Sequence, residues 1–564
     1  LFVRCFANHR RCFISIYGRF KSHDPFRSIL QTGGGTSKMS QSMIGTKSMV
    51  VSPHYLASAA GCRILQKGGN AFDAAVAVSA CLAVVYPHMT GIGGDSFWLF
   101  YSRKDQAVRA YNGSGRSGYN ATPEKYEGFP AIPYRGIQSV ITVPGMVDSW
   151  DAIIKEYGRL SLAEVLEPAI EYAENGFPFS KDQYVNTQKN VQILREFPET
   201  SSIFLPHHRI PSINEKFIQK QLADTLKELA NKGRDHFYKG SLTKRIVSSL
   251  REKGGILIED DFADHHGDWV EPLSGTYRGY TMYQVPPNSQ GFAGLMALNI
   301  LENFDFKTIP HGSFQYYHLL TESLKKSFQD RNKVLTDPEF YQIPLDKLLS
   351  KTYAKKLAES ISLTKASEVK TQPVGNDTAH AAVVDEEGNA VSFIQSLYFE
   401  FGSCVVAGDT GILMQNRGSF FSLDRSHVNC LAPRKRTFHT LMPAMAFKDG
   451  KPYILYGTQG GEGQPQTQTA IITRMIDYRM SPAEAIYEPR FVWGRTWGEE
   501  TEELKMEGRI SKEVIESMIK AGHLVKVVEP IDKIMGHANA ILIDDQSFLH
   551  GGVDPRGDGA AIGW

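Results

Sequence analysis

The chain has no run of 18 apolar residues, so it predicts no membrane-spanning helix and no membrane partner. It also lacks a charge of one sign: 62 Lys and Arg stand against 61 Asp and Glu, a formal net charge of +1. That balance gives no long-range attraction to nucleic acid or to an anionic bilayer. Cysteine is scarce. The six residues Cys5, Cys12, Cys62, Cys81, Cys404 and Cys430 show no CxxC spacing and sit in apolar contexts. Free, buried thiols are therefore expected rather than a zinc site or a disulfide framework, and with them a reducing, cytoplasmic setting. The pair His265-His266 has no carboxylate–histidine spacing beside it and reads as an exposed loop; no metal and no cofactor are expected. No internal repeat or low-complexity linker is evident. What remains is a chain of 564 residues, 42% hydrophobic and 22% charged, long enough to bury a large core.

Residues 1–45 are set apart, because Leu1 is not an initiator Met and the stretch carries Arg10, Arg11, Arg19, Lys21 and Arg27 with few acids. They read as a disordered extension or the product of a mis-set start upstream of Met39 or Met43, outside the fold. Beyond them Asn70 and Asp73 have the spacing of a helix cap, and Ala71–Val85 is apolar enough for a buried helix that Pro87 ends. The charged, periodic stretch from Phe314 to Lys333 predicts an outer helix with a solvated face. Asp95, in Thr90-Gly91-Ile92-Gly93-Gly94-Asp95, reads as a turn residue.

The segment most informative about chemistry is Asp377-Thr378-Ala379-His380, which opens the run Ala381–Val384. With the turn Asp385–Asn389 and the apolar run Ala390–Leu397, it predicts a hairpin covered on both faces. Thr378 then stands at the end of a central strand. A threonine hydroxyl needs a base beside it, and cutting the chain before Thr378 would supply one in its own α-amino group. Downstream, Gly460-Gly461 follows the strand-like Tyr453-Ile454-Leu455; paired glycines let backbone N–H groups approach a reacting carbonyl, as an oxyanion hole requires, although such a pair is often only a turn.

Taken with Gly68–Ala75, Thr90–Asp95, Val143-Pro144-Gly145, Phe401-Gly402-Ser403 and Gly411-Ile412-Leu413, these segments resemble the γ-glutamyltransferase family of N-terminal-nucleophile hydrolases. The resemblance spans most of the chain. It implies an α+β fold, a four-layer αββα sandwich in which self-cleavage before Thr378 yields a large subunit (46–377) and a small one (378–564) sharing one domain. Carried over by residue, it implies Thr378 as nucleophile, Ser396 beside its hydroxyl, and Gly460 and Gly461 as oxyanion donors.

The pocket departs from the γ-glutamyl pattern. Where the family has an Arg that grips the substrate α-carboxylate, the chain has Asn112; where it has an acid for the α-amino group, Phe420 follows Arg417; Tyr398 and His439, before Thr440, replace an Asn and a Ser. A site without the acid and with Arg417 and His439 should refuse a zwitterion and favour a compact anion. The pattern resembles the oxamate amidohydrolase branch, with Arg417 as carboxylate anchor and His439 as helper. A structural ion pair for Arg417, a plain hydrogen-bonded role for His439, and Arg116 as the replacement cation are the competing readings. The expected activity is amide hydrolysis of a small carboxylated substrate such as oxamate, with the chain's own cleaved subunit as partner. The alternatives are a γ-glutamyltransferase or glutathione hydrolase, or a catalytically silent member acting as a binding module.

Overall fold

A computed structural model describes residues 41–369, 378–494 and 501–564. Two seven-stranded sheets face one another. One has the order Met43–Gly45, Leu549–Val553, Ala538–Ile543, Lys451–Thr458, Ala444–Lys448, Tyr280–Gln284, Leu273–Tyr277. The other runs Ala560–Gly563, Met49–Ser52, Ala379–Val384, Ala390–Ser396, Asp95–Ser102, Ala107–Gly113, Asp268–Val270. Both sheets combine strands from before and after Thr378, so neither part of the chain could complete a sheet alone.

Helices Tyr55–Gln66 and Ala71–Val85 cover the second sheet, and Gly291–Leu301 and Gly463–Asp477 cover the first. The expected α+β, four-layer αββα sandwich is what the chain forms. Ala71–Val85 is buried on every side, as an all-apolar helix must be. Asn70 Oδ1 accepts from the Phe72 and Asp73 N–H groups, and Asp73 Oδ2 accepts from Asn70 N–H at 2.9 Å. Asp385, in the turn of the Thr378 hairpin, accepts from Ala71 N–H at 2.8 Å and so ties the hairpin to the start of that helix.

The hairpin forms in the expected register, with Ala379 opposite Gln395 and Val384 opposite Ala390. The next strand continues it, pairing Ser396 with Asp95.

Four expectations need correction or narrowing. The folded region starts before residue 46, since Met43–Gly45 pairs at the sheet edge with Leu549–Gly551; residues 1–40, with Cys5 and Cys12, lie outside the described residues. The helix Phe314–Val334 has no broadly solvated face, because it is packed against Gly291–Leu301, Gly463–Asp477 and Lys512–Lys520. Its Glu322 and Lys325 are buried as a 2.9 Å ion pair. His265 is buried and stacked on Tyr238 with ring centroids 5.0 Å apart, and only His266 is exposed. Cys62, Cys81 and Cys404 are buried free thiols as expected, each pushed up by burial, whereas Cys430 is half-buried. Among the described residues no helix is long and apolar enough to cross a membrane.

Candidate active site

Three neighbouring strands bring Thr378, Ser396 and Asp95 into one row. Ala379 pairs with Gln395, so one step further along the hairpin Thr378 comes opposite Ser396, which itself pairs with Asp95. All three are fully buried. The Thr378 hydroxyl accepts from Gln464 Nε2 at 3.2 Å, and Gln464 belongs to the first turn of the helix Gly463–Asp477. Asp377 lies outside the described residues.

Gly460 and Gly461 immediately precede that helix. Both take left-handed backbone conformations, φ +119° and +51°, which only glycine adopts freely at the first of these. Their carbonyls accept from Gly463 and Gln464 N–H, at 2.7 and 3.2 Å, while among the described residues their own N–H groups donate to nothing. Two unspent donors beside a helix N-terminus suit an incoming oxyanion. The turn is held from behind: Gln290 Nε2 donates to Gly461 O at 3.1 Å and to Thr440 O at 2.8 Å, and buried Arg331 donates to Gln290 Oε1 at 2.7 Å and pairs with Glu462 at 3.3 Å.

Arg417 is the electrostatic centre of the site. Its side chain is completely buried, yet among the described residues it has no carboxylate partner. Nη2 donates to Ser396 Oγ at 3.3 Å, and Nε and Nη1 meet no acceptor. The guanidinium lies over the Tyr398 ring at 4.4 Å and the Phe420 ring at 5.4 Å, and Tyr398 and Phe420 stack at 4.3 Å. Aromatic faces attract a cation without neutralising it. Burial pushes Arg417 down to about 10, with nearby Tyr398 and Asp95 opposing the fall, so it stays charged at neutral pH. The reading of Arg417 as one half of a structural ion pair finds no partner among the described residues.

Asp95 is not a turn residue: it starts a central strand. Its Oδ1 accepts from Gly115 N–H, Gly145 N–H and Gln415 Nε2 at 3.0–3.1 Å, and its Oδ2 lies 3.3 Å from His439 Nε2. His439 Nδ1 accepts from Leu441 N–H at 3.4 Å, so Nε2 carries the proton and donates to Asp95. Burial, and then Arg417, push His439 down to about 3. It is therefore a neutral ring with both nitrogens engaged inside the protein, as in the plain hydrogen-bonded reading. Thr440 Oγ1 is buried and without a partner among the described residues.

Asn112 is buried in a network of its own, donating to Asn288 Oδ1 at 2.9 Å and accepting from Ser114 Oγ at 2.6 Å. Arg116 pairs with Glu339 at 2.7 Å and Asp268 at 3.4 Å, which removes it as a substitute carboxylate anchor. Sequence reasoning missed Asp95, Gln415, Gln464 and the Arg331–Gln290 pair. Only Asp95 and Gln464 carried a signal, since each adjoins a glycine-rich segment already singled out.

A second cluster, His318, Glu322 and His523, brings three metal-ligand atoms together. All but one of its polar groups are already engaged: His318 Nδ1 meets His523 Nε2 at 2.9 Å, His318 Nε2 meets Ser362 O at 2.7 Å, and Lys325 and Ser367 take the two Glu322 oxygens, while among the described residues His523 Nδ1 is buried without a partner.

The gamma-glutamyltranspeptidase family model matches residues 57–564. The chain is 66% identical to the glutathione hydrolase-like YwrD proenzyme of Bacillus subtilis, over 93% of this chain and 100% of that protein. It is 39% identical to the oxamate amidohydrolase proenzyme of Klebsiella pneumoniae, again over 93% and 100%. Among solved structures it superposes on the cephalosporin acylase of Bacillus halodurans with a TM-score of 0.88 at 34% identity, covering 95% of this chain and 98% of the acylase.

Proposed function

The chain belongs to the gamma-glutamyltranspeptidase family, and from that premise we propose a self-processing amide hydrolase whose substrate is a small amide bearing a carboxylate. The single observation that carries this is Arg417: a buried, charged guanidinium that among the described residues pairs with no carboxylate and is hydrogen-bonded to the residue opposite Thr378. An unpaired buried charge costs several kcal/mol, on the order of 3–5 when its partner is missing, and a substrate carboxylate would recover it. Asp95, whose charge acts on Arg417, already accepts four hydrogen bonds and is not free to take an ammonium group.

In the proposed sequence, the Thr378 hydroxyl attacks the Asp377 carbonyl and the peptide C–N bond breaks, which frees the Thr378 amino group and leaves Asp377 as an ester on the Thr378 oxygen; water then hydrolyses that ester to release the Asp377 carboxylate and the Thr378 hydroxyl. The large subunit, which ends at Asp377 and includes the edge strand Met43–Gly45, and the small subunit 378–564 stay interleaved in both sheets. That amino group then takes the hydroxyl proton as the oxygen attacks the substrate amide carbonyl, with Gly460 and Gly461 N–H on the oxyanion. With oxamate, ammonia leaves, an oxalyl ester remains on Thr378, and water releases oxalate. Arg417 holds the distal carboxylate throughout, and Tyr398, Phe420 and Thr440 form the wall around it.

A second reading, hydrolysis of γ-glutamyl compounds, is favoured by the name of the 66% identical relative, a glutathione hydrolase-like proenzyme. Ammonia release from oxamate, measured beside anilide release from γ-glutamyl-4-nitroanilide, separates the two. Turnover of the anilide with none of oxamate discards the compact-anion reading.

A further inference from the structure

Behind the Gly460-Gly461 turn lies a buried polar cluster that the proposed chemistry does not use. Asp182 is its anion. Asp182 Oδ2 accepts from Tyr86 OH at 2.6 Å, with His88 Nε2 3.6 Å and His537 Nδ1 3.8 Å away, and Lys533 Nζ binds Asp182 Oδ1. Tyr86, His88, Asp182 and His537 are each at most 2% exposed. Burial alone would raise the Asp182 carboxyl, but His537, His88 and Lys533 outweigh it and hold the group well below the usual range. The carboxylate is thus favoured in its charged form, and it accepts a hydrogen bond from the Tyr86 hydroxyl and orients that group.

From Tyr86 the contacts run to the residue before Gly460. The Tyr86 hydroxyl lies 3.3 Å from the Gln459 side-chain amide and 3.1 Å from His537 Nδ1. Gln459 N–H donates to His537 O at 3.0 Å, and Gln459 O accepts from Thr458 Oγ1 at 2.7 Å. Gly536, next to His537, packs against Gly460: a Cβ on Gly460 would stand 3.5 Å from Gly536 Cα. Arg490 fixes that second segment by donating to Met535 O and Gly536 O, at 3.0 and 3.1 Å. The direction of the Gly460 peptide is therefore set by Gln459, and Gln459 is held by Tyr86 and His537.

We propose that Asp182 and Tyr86 are positioning residues that aim the Gly460 and Gly461 N–H groups at the carbonyl attacked by Thr378. The proposal rests on the acyl-transfer reading above. Oxyanion donors work only within about 0.5 Å of their target, and a displacement of about 1 Å costs on the order of 100-fold in rate. Tyr86 and Asp182 precede Thr378 in the chain while Gln459, Lys533 and His537 follow it, so the cluster spans the two proposed subunits.

The test uses the full-length, self-cleaved enzyme with Tyr86→Phe, Asp182→Asn and the double variant, assayed with oxamate and γ-glutamyl-4-nitroanilide. Rates are expressed per free Thr378 amino terminus, counted by intact mass. The expected result is a fall in kcat of about 10-fold or more in each single variant with KM changed less than about 2-fold, and no further fall in the double variant, since both residues act through one contact chain. Tyr86→Phe removes a single oxygen, so it keeps the question open if Asp182→Asn fails to fold. Unchanged kcat in Tyr86→Phe, or additive losses in the double variant, would overturn the proposal. A wild type that stays uncut, or that turns over neither probe, defeats the acyl-transfer reading itself, a result distinguishable from active wild type with indifferent variants.

Discussion

Arg417 donates to Ser396 Oγ at 3.3 Å, and Ser396 comes opposite Thr378 across the hairpin. The one buried guanidinium stacked on Tyr398 thus sits a single residue away from the proposed nucleophile. That spacing suits a substrate in which carboxylate and scissile carbonyl are close together. It is the geometric basis for the compact-anion reading.

Replacing Arg417 by Met should separate stability from activity. Removing an unpaired buried charge in favour of an apolar side chain of similar volume should raise the thermal midpoint, by on the order of 1–4 kcal/mol in stability. Turnover of carboxylated amides should fall about 100-fold or more in kcat/KM, while a neutral amide of the same length should lose little. Equal losses on both substrates would sink the anchor role.

Thr378→Ala should leave a single uncut chain with no measurable amide hydrolysis, because both self-cleavage and turnover need the same hydroxyl. Intact mass under denaturing conditions reads this directly. Fragments meeting at Asp377/Thr378 in the Ala variant would refute the assignment.

Substitutions in the glycine pair should differ in cost. At Gly460 φ is +119°, a conformation essentially closed to a residue with a Cβ, whereas φ +51° at Gly461 lies in the left-handed region that other residues tolerate at roughly 1–2 kcal/mol. Gly460→Ala is therefore expected to cut kcat by on the order of 100-fold or more, and Gly461→Ala distinctly less. A reversed order in steady-state kinetics would argue that Gly461 carries the more demanding donor.

Acid should destabilise the protein through its buried histidines. Burial pushes His439, His380 and His265 each down to about 3, against an ordinary value near 6.5 once unfolded. The unfolded chain then binds more protons, so the stability these groups contribute is complete above about pH 6.5 and is lost as the pH falls toward 3. Urea midpoints measured from about pH 7.5 down to about pH 5 should decline, and His439→Gln should decline less steeply than wild type. Parallel curves would mean that His439 titrates normally in the folded protein.

Local signals were enough for the parts of the site that are continuous in sequence. The capped helix Ala71–Val85, the hairpin that follows Thr378 and the paired glycines each announce themselves through composition and short-range turn chemistry. Asp95 and Gln464 did not, although each adjoins such a segment. An Asp after two glycines looks like a turn until its strand is placed beside Ser396, and a Gln in a helix looks neutral until its amide reaches Thr378. The charges of Phe314–Val334 misled for the same reason: periodicity reports which face of a helix is apolar, not whether other helices cover the polar one.

The chain by itself therefore determined the hairpin, the capped helix and the glycine turn, because each is encoded within a few residues, while the αββα class was legible only through the resemblance of several such segments, in order, to a known family. The tertiary structure decided which charges matter. Among the described residues Arg417 has no carboxylate partner, His439 is neutral, Arg116 is spoken for by Glu339 and Asp268, and Asp182 stands behind the glycine turn. Each of those facts depends on the distance to a partner tens or hundreds of residues away and on the loss of water around both, and no local pattern in the sequence records either.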